Sequence, residues 1–176
     1  MTGAIISSCG QYRYRLERRM SDYPTVSHDA MVDAGVAGKT VAFFGVNPSR
    51  ADAFVDDATV RKWVGFCLRW GVPRFIVGNV FAYRATDVRD LGREINPIGA
   101  DNHWHLGNIA AAADILVPCW GDVGKVPDRL RENFMGARSM LATYKKPIKV
   151  FGLTATGCPR HPLMLGYDTP LIDWRG

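Results

Sequence analysis

Four short apolar runs punctuate the chain, and each is separated from the next by a segment with helical spacing. They are KTVAFFGVNPS (39–49), which runs into a turn, then RFIVGNVF (74–81), DILVPCW (114–120) and IKVFGL (148–153). Runs that are apolar without alternation are buried on both faces, the mark of a parallel sheet covered by helices. The intervening segments supply the cover. Residues 57–70 put Val60, Trp63, Val64, Cys67 and Leu68 on one stripe behind Asp57, a good N-cap, and helices are also expected near 100–113 and 127–143. The pattern predicts an α/β fold, a three-layer α/β/α arrangement on a central, mainly parallel four-stranded sheet.

At 176 residues and 47% hydrophobic, the chain can bury a real core as a single domain spanning 1–176. No Pro/Ser-rich linker or repeat divides it. Residues 1–39 form an extension containing the alternating stretch YRYRLERR, where Tyr12, Tyr14 and Leu16 should face inward. Arg13, Arg15 and Arg18 should face solvent, or else contact phosphate. No run approaches the ~18 apolar residues of a membrane span. The first residues carry their charges after a short apolar run, the reverse of a secretory signal, so a cytoplasmic protein is expected. Cys9, Cys67, Cys119 and Cys158 form no close pair and read as free, mostly buried thiols. His103 and His105 point apart on a helix, and no metal or organic cofactor is expected. A net charge of +5 permits a nucleic-acid partner without requiring one.

In open parallel sheets, ligands sit beyond the carboxyl ends of the strands. Here those ends carry Asn47-Pro48-Ser49, Asn79, Trp120-Gly121 and the loop around His161, four segments expected to converge on one cleft. Gly45 allows close approach of backbone, Pro48 stiffens the turn, and Asn47 offers a donor and an acceptor, either to a ligand or to its own turn. Asn79 with Phe81 could read a flat ring by edge hydrogen bonds and stacking; the alternative is a capping Asn and a core Phe. His161 lies between Arg160 and Pro162 in a stiff loop, well placed to donate a hydrogen bond at a cleft mouth. Of the adjacent acids Asp56 and Asp57, one could act as a general base; alternatively one caps a helix and the other is exposed.

Taken in order, these segments resemble the uracil-DNA-glycosylase superfamily. GVNPS (45–49) looks like its G-I-N-P-G motif, NVFAYRATD like the strand whose Asn reads the base, ILVPCWGDVGK like the strand ending in Trp-Gly, and PRHPLML like the H-P-S-P-L loop. YRYRLER, NPSRADAFVDDATVRK, NPIGADN and PRHPL are more closely similar to a bacterial and phage family designated only as a domain of unknown function. The resemblance extends through that family to an antiviral glycosylase that excises glucosylated hydroxymethylcytosine from phage DNA. Ser49 departs from the second Gly of G-I-N-P-G, and Leu163 from the Ser after His-Pro.

The resemblance implies a uracil-DNA-glycosylase-like fold and a monofunctional DNA glycosylase acting on modified phage DNA, with no obligate protein partner. Asn47 would position the attacking water, assisted by Asp56 or Asp57, and His161 would hydrogen-bond the departing base. Gly45, Val46, Pro48, Ser49, Asn79, Phe81 and Trp120 would form the base pocket. Arg50, Arg84, Lys125 and Arg160 would hold phosphates. Two other readings stay open: a hydrolase of a free modified nucleotide, and a nucleic-acid-binding module without catalysis.

Overall fold

In the computed structural model, which describes residues 3–175, successive residues of each central strand alternate between two separate cores. Strand β1 is Gly3–Ile6, β2 Arg13–Arg19, β3 Thr40–Gly45, β4 Arg74–Asn79 and β5 Ile115–Pro118. Val41 and Phe43 of β3, Phe75 and Val77 of β4, and Ile115 and Val117 of β5 pack on one side with α1 (Ala58–Arg69). Ala42 and Phe44, Ile76 and Leu116 pack on the other with α2 (Asn102–Ala112) and α3 (Glu132–Thr143). Burial on both faces explains why the sequence shows continuous apolar runs in place of alternation.

The sheet itself differs from the expected one. It has five strands in the order β1-β2-β4-β3-β5; β4, β3 and β5 are parallel, while β1 and β2 join as antiparallel neighbours. The fold is therefore mixed α/β, and the N-terminal segment belongs to the sheet. The fourth apolar run contributes only β6 (Lys149–Val150), which pairs with β7 (Ile172–Asp173). It touches the main sheet through a single parallel bridge between Leu116 and Ile148. Gly152 (φ +102°) turns the backbone away two residues later, before another ladder rung can form.

Strand β2 carries a second correction. Its pairing with β1 slips between Ile5 and Ile6, so that Ile5 faces Arg15 and Ile6 faces Arg13. The extra residue turns Arg13 and Arg15 to opposite faces, because side-chain direction in a strand has period two. Arg13 is only 2% exposed and Arg18 only 1%, contrary to the solvent-facing positions expected for both. Arg18 shares its face with Leu16, two residues earlier, and so turns inward with it. Of the four free cysteines, Cys67 and Cys119 are buried, Cys158 is half-buried and Cys9 is exposed. Among the described residues no helix is long and apolar enough to cross a membrane.

Candidate active site

The carboxyl ends of β3, β4 and β5 open onto one cavity of about 550 Å³. Gly45, Val46, Asn47 and Ser49 line it from the loop after β3, Asn79 from the end of β4, and Trp120 and Gly121 from the segment after β5. The 3₁₀ turn Pro162–Met164 brings His161 to the same space, with Asp57, Lys125 and Arg160 also on the wall. The four segments picked out by topology thus share one cavity, as the rule for parallel sheets requires.

The loops are tied before any ligand arrives. Val80 and Phe81 donate backbone N–H groups to the carbonyls of Gly45 and Val46, and Ala85 N–H donates to Pro48 O. Asn102 Nδ2 donates to the carbonyls of both Asn79 and Val80 at 3.0 Å. Gly121 (φ +77°) donates to Pro159 O at 2.8 Å, and a Cβ on Gly121 would lie 3.2 Å from His161 Cβ. Glycine is what lets the Trp120 turn lie against the His161 loop.

Asn47 is oriented by its amide nitrogen, which donates to Ala85 O at 2.7 Å and Pro48 O at 3.1 Å. Both neighbours are carbonyls, so only the NH₂ end fits there, and Oδ1 is left as an acceptor with no partner among the described residues. His161 is held in a complementary way: Nδ1 accepts from Leu163 N–H at 3.3 Å. The proton of the neutral ring then sits on Nε2, making that nitrogen a donor. Burial lowers the His161 pKa below its ordinary value, with Asp57 pulling it up and Lys125 pushing it down. A neutral imidazole with a defined tautomer results.

Asn79 is 3% exposed, yet its side-chain amide has no partner among the described residues. Asn79 lines the cavity, where its amide can both donate to and accept from a group placed there. Gly45 makes room for it, since a Cβ there would fall 2.8 Å from Asn79 Oδ1. Trp63 and Trp120 supply flat apolar walls; Trp63 stacks on Phe43 at 5.2 Å, and Trp120 packs against Phe134 at 5.6 Å.

Several expected residues lie elsewhere. Phe81 is fully buried edge-on against Phe134 and cannot stack on a ring in the cavity. Pro48 does not line the cavity and serves by accepting from Asn47 and Ala85. Asp56 is held by Arg18 at 2.7 Å and by the Tyr23 hydroxyl at 2.7 Å, which leaves Asp57 as the carboxylate on the wall. Asp57 also caps α1, accepting from Val60 N–H at 2.9 Å. Lys125 and Arg160 line the cavity, whereas Arg50 and Arg84 border a neighbouring pocket of about 330 Å³. The Arg84 guanidinium donates to the carbonyls of Ser49, Gly10 and Arg50, binding the β3 loop to the N-terminal hairpin.

Trp63 and Arg13 are among the wall residues that sequence reasoning missed. Trp63 sits in a helical apolar stripe indistinguishable from core, and Arg13 sits in an alternating strand whose bulge no local signal reveals.

Residues 13–163 match the family described as "Protein of unknown function (DUF1643)". The chain belongs to this family. The region shared with DUF1643 runs from Arg13 to Leu163, both of which line the cavity, and it contains Asn47, Asn79 and His161 between them. No curated protein and no solved structure matched the chain.

Proposed function

We propose that the protein is a DNA glycosylase that hydrolyses the N-glycosidic bond of a modified base and leaves an abasic site. The best candidate base is α-glucosyl-hydroxymethylcytosine of phage DNA, removed in antiviral defence by a cytoplasmic enzyme. One observation carries the reading. Asn47 and His161 each commit one side-chain atom to the backbone and so aim the other, an acceptor and a donor respectively, at the same cavity.

That pair matches the charge that develops in the reaction. Asn47 Oδ1 accepts a hydrogen bond from water and places its oxygen for attack on C1′ of the deoxyribose. As the C1′–N bond breaks, its electron pair passes to the base, and the sugar takes on oxocarbenium character. His161 Nε2–H donates to the base oxygen where that negative charge gathers. Fixed donors of this kind contribute about 3 kcal/mol of transition-state stabilisation. Asp57 accepts the proton released by the water; Asp56, engaged with Arg18, does not take part. Asn79 holds the base edge between Trp63 and Trp120, and Lys125 and Arg160 meet the flanking phosphates.

The test is to incubate the protein with unmodified, uracil-containing and glucosylated-hydroxymethylcytosine DNA, then treat with alkali. Strand breaks are expected on the glucosylated substrate and are expected to disappear in Asn47→Ala and His161→Ala. Absence of breaks on all three substrates would refute the proposal, and breaks that persist in both variants would refute the residue roles. A second reading, hydrolysis of a free modified nucleotide, is favoured by one observation: Arg84 is committed to backbone carbonyls, which leaves few cations for a duplex. Release of base from a mononucleotide but not from DNA would select it.

A further inference from the structure

The cavity has a cationic end that none of the roles above uses. β2 lies beyond β4 in the sheet, on the side away from β5, so Arg13 enters from the flank opposite Trp120 and His161. The sheet spacing makes that offset three strands, roughly 14 Å. Arg13 and Asn79 are the deeply buried polar side chains on the wall, at 2% and 3% exposure, and they come from adjacent strands.

Arg13 is held but not satisfied. Nη1 donates to Ala51 O at 2.9 Å, whereas Nε has no partner and Nη2 has none among the described residues. No carboxylate lies within ion-pairing distance of it among those residues. Burial pushes its pKa down to about 10, opposed by Asp57 and reinforced by Arg84 and Arg18, so the guanidinium stays charged at neutral pH. A guanidinium presents donors only. A buried cation with unfilled donors is stabilised by an oxygen acceptor and destabilised by an amine placed against it.

We propose that Arg13 is a specificity-determining residue that, together with Asn79, reads an oxygen acceptor on the base or on its substituent. A base presenting only an amine or a hydrogen at that edge is rejected, because the guanidinium would stay buried without a partner. The inference rests on the cavity being a base pocket. It adds to that reading the class of base, one carrying hydroxyl, carbonyl or sugar oxygens beyond the edge that Asn79 contacts.

The experiment uses the Asn47→Ala protein, in which hydrolysis is suppressed, and oligonucleotides differing at one position. That position carries cytosine, uracil, 5-hydroxymethylcytosine or its glucosylated form. At least one oxygen-bearing oligonucleotide should bind roughly 10- to 100-fold tighter than the cytosine one, the range for a hydrogen bond to a charged group. Adding Arg13→Met should collapse that preference, raising affinity for the cytosine oligonucleotide as it lowers affinity for the oxygen-bearing one, with the salt dependence for cytosine unchanged. Arg13→Lys, which keeps a charge without the fork, should retain part of the preference and serves in place of Arg13→Met if the latter does not fold. The proposal is overturned if Asn47→Ala shows no preference, if the preference survives both substitutions, or if they weaken all oligonucleotides equally. Base release by the wild-type protein is measured on the same set. An Arg13-dependent preference without release would refute the glycosylase reading alone, and release without that preference would refute the role of Arg13 alone.

Discussion

Strand β2 buries an arginine at each end, and the two ends are built differently. Arg18 is closed off: it pairs with Asp56 at 2.7 Å, donates to Asp52 O at 2.6 Å and Glu17 O at 3.0 Å, and shares Asp56 with Tyr23. Arg13, five residues earlier, has one backbone carbonyl and opens onto the cavity. Both anchor the same loop, through Ala51 and Asp52. The same residue type on the same strand is thus a closed structural tie at one end and, at the other, a tie with donors left open to the cavity. Burial alone does not distinguish the two; the count of partners does.

The largest effect is expected at the closed end. Arg18→Met strands Asp56 and frees the loop, and urea denaturation should show a loss of about 3–5 kcal/mol. Arg13→Met removes an unpaired charge, and its unfolding free energy should move by no more than about 1 kcal/mol. Equal losses at both ends would mean that the two arginines are equivalent ties.

A smaller effect tests whether the open end depends on the gap beside it. Gly45→Ala drives a methyl to 2.8 Å from Asn79 Oδ1, and such overpacking typically destabilises by about 1–3 kcal/mol. Base release should fall with it. Gly136→Ala, on α3 with nothing within 4 Å, is the control and should stabilise by less than about 1 kcal/mol.

At the far wall, the expected signature is a pH dependence. Because burial lowers the His161 pKa, the folded protein binds this proton less readily than the unfolded chain does. The stability tied to the neutral ring is therefore present above the ordinary imidazole value of 6.5 and declines as pH falls below it. Protonation would also set an Nδ1–H against Leu163 N–H, so activity should fall along an acid limb below that same value. His161→Asn, a donor that does not titrate, should retain weak activity without that limb.

The smallest effects separate rim from tie among the other cations. Lys125→Gln and Arg160→Gln should each shallow the salt dependence of DNA binding by roughly 0.7–0.9 in the log–log slope. Arg84→Gln should leave that slope unchanged and lower the melting temperature, since its donors hold three backbone carbonyls.

How much of this was legible before the structure varied with the range of the interaction. Asp57 as the cap of α1 was readable because a cap is a contact three residues long. The convergence of Asn47, Asn79, Trp120 and His161 was readable because parallel strands place their carboxyl ends together. Phe81 was misplaced because strand alternation does not say which ring α3 will present; Phe134 fills the space beside it. Arg84 looked like a phosphate clamp because its three acceptors come from residues 10, 49 and 50, far off in sequence.

By itself the sequence determined the central parallel strands, their helical cover and the convergence of their carboxyl-end loops, since local periodicity and strand-end turns encode these directly. Only the tertiary structure decided that β2 joins that sheet, with a bulge that turns Arg13 inward. Its pairing partners, β1 and β4, are chosen by contacts that no local pattern carries, and a one-residue slip reverses every side chain beyond it. The cationic end of the cavity is a product of that slip.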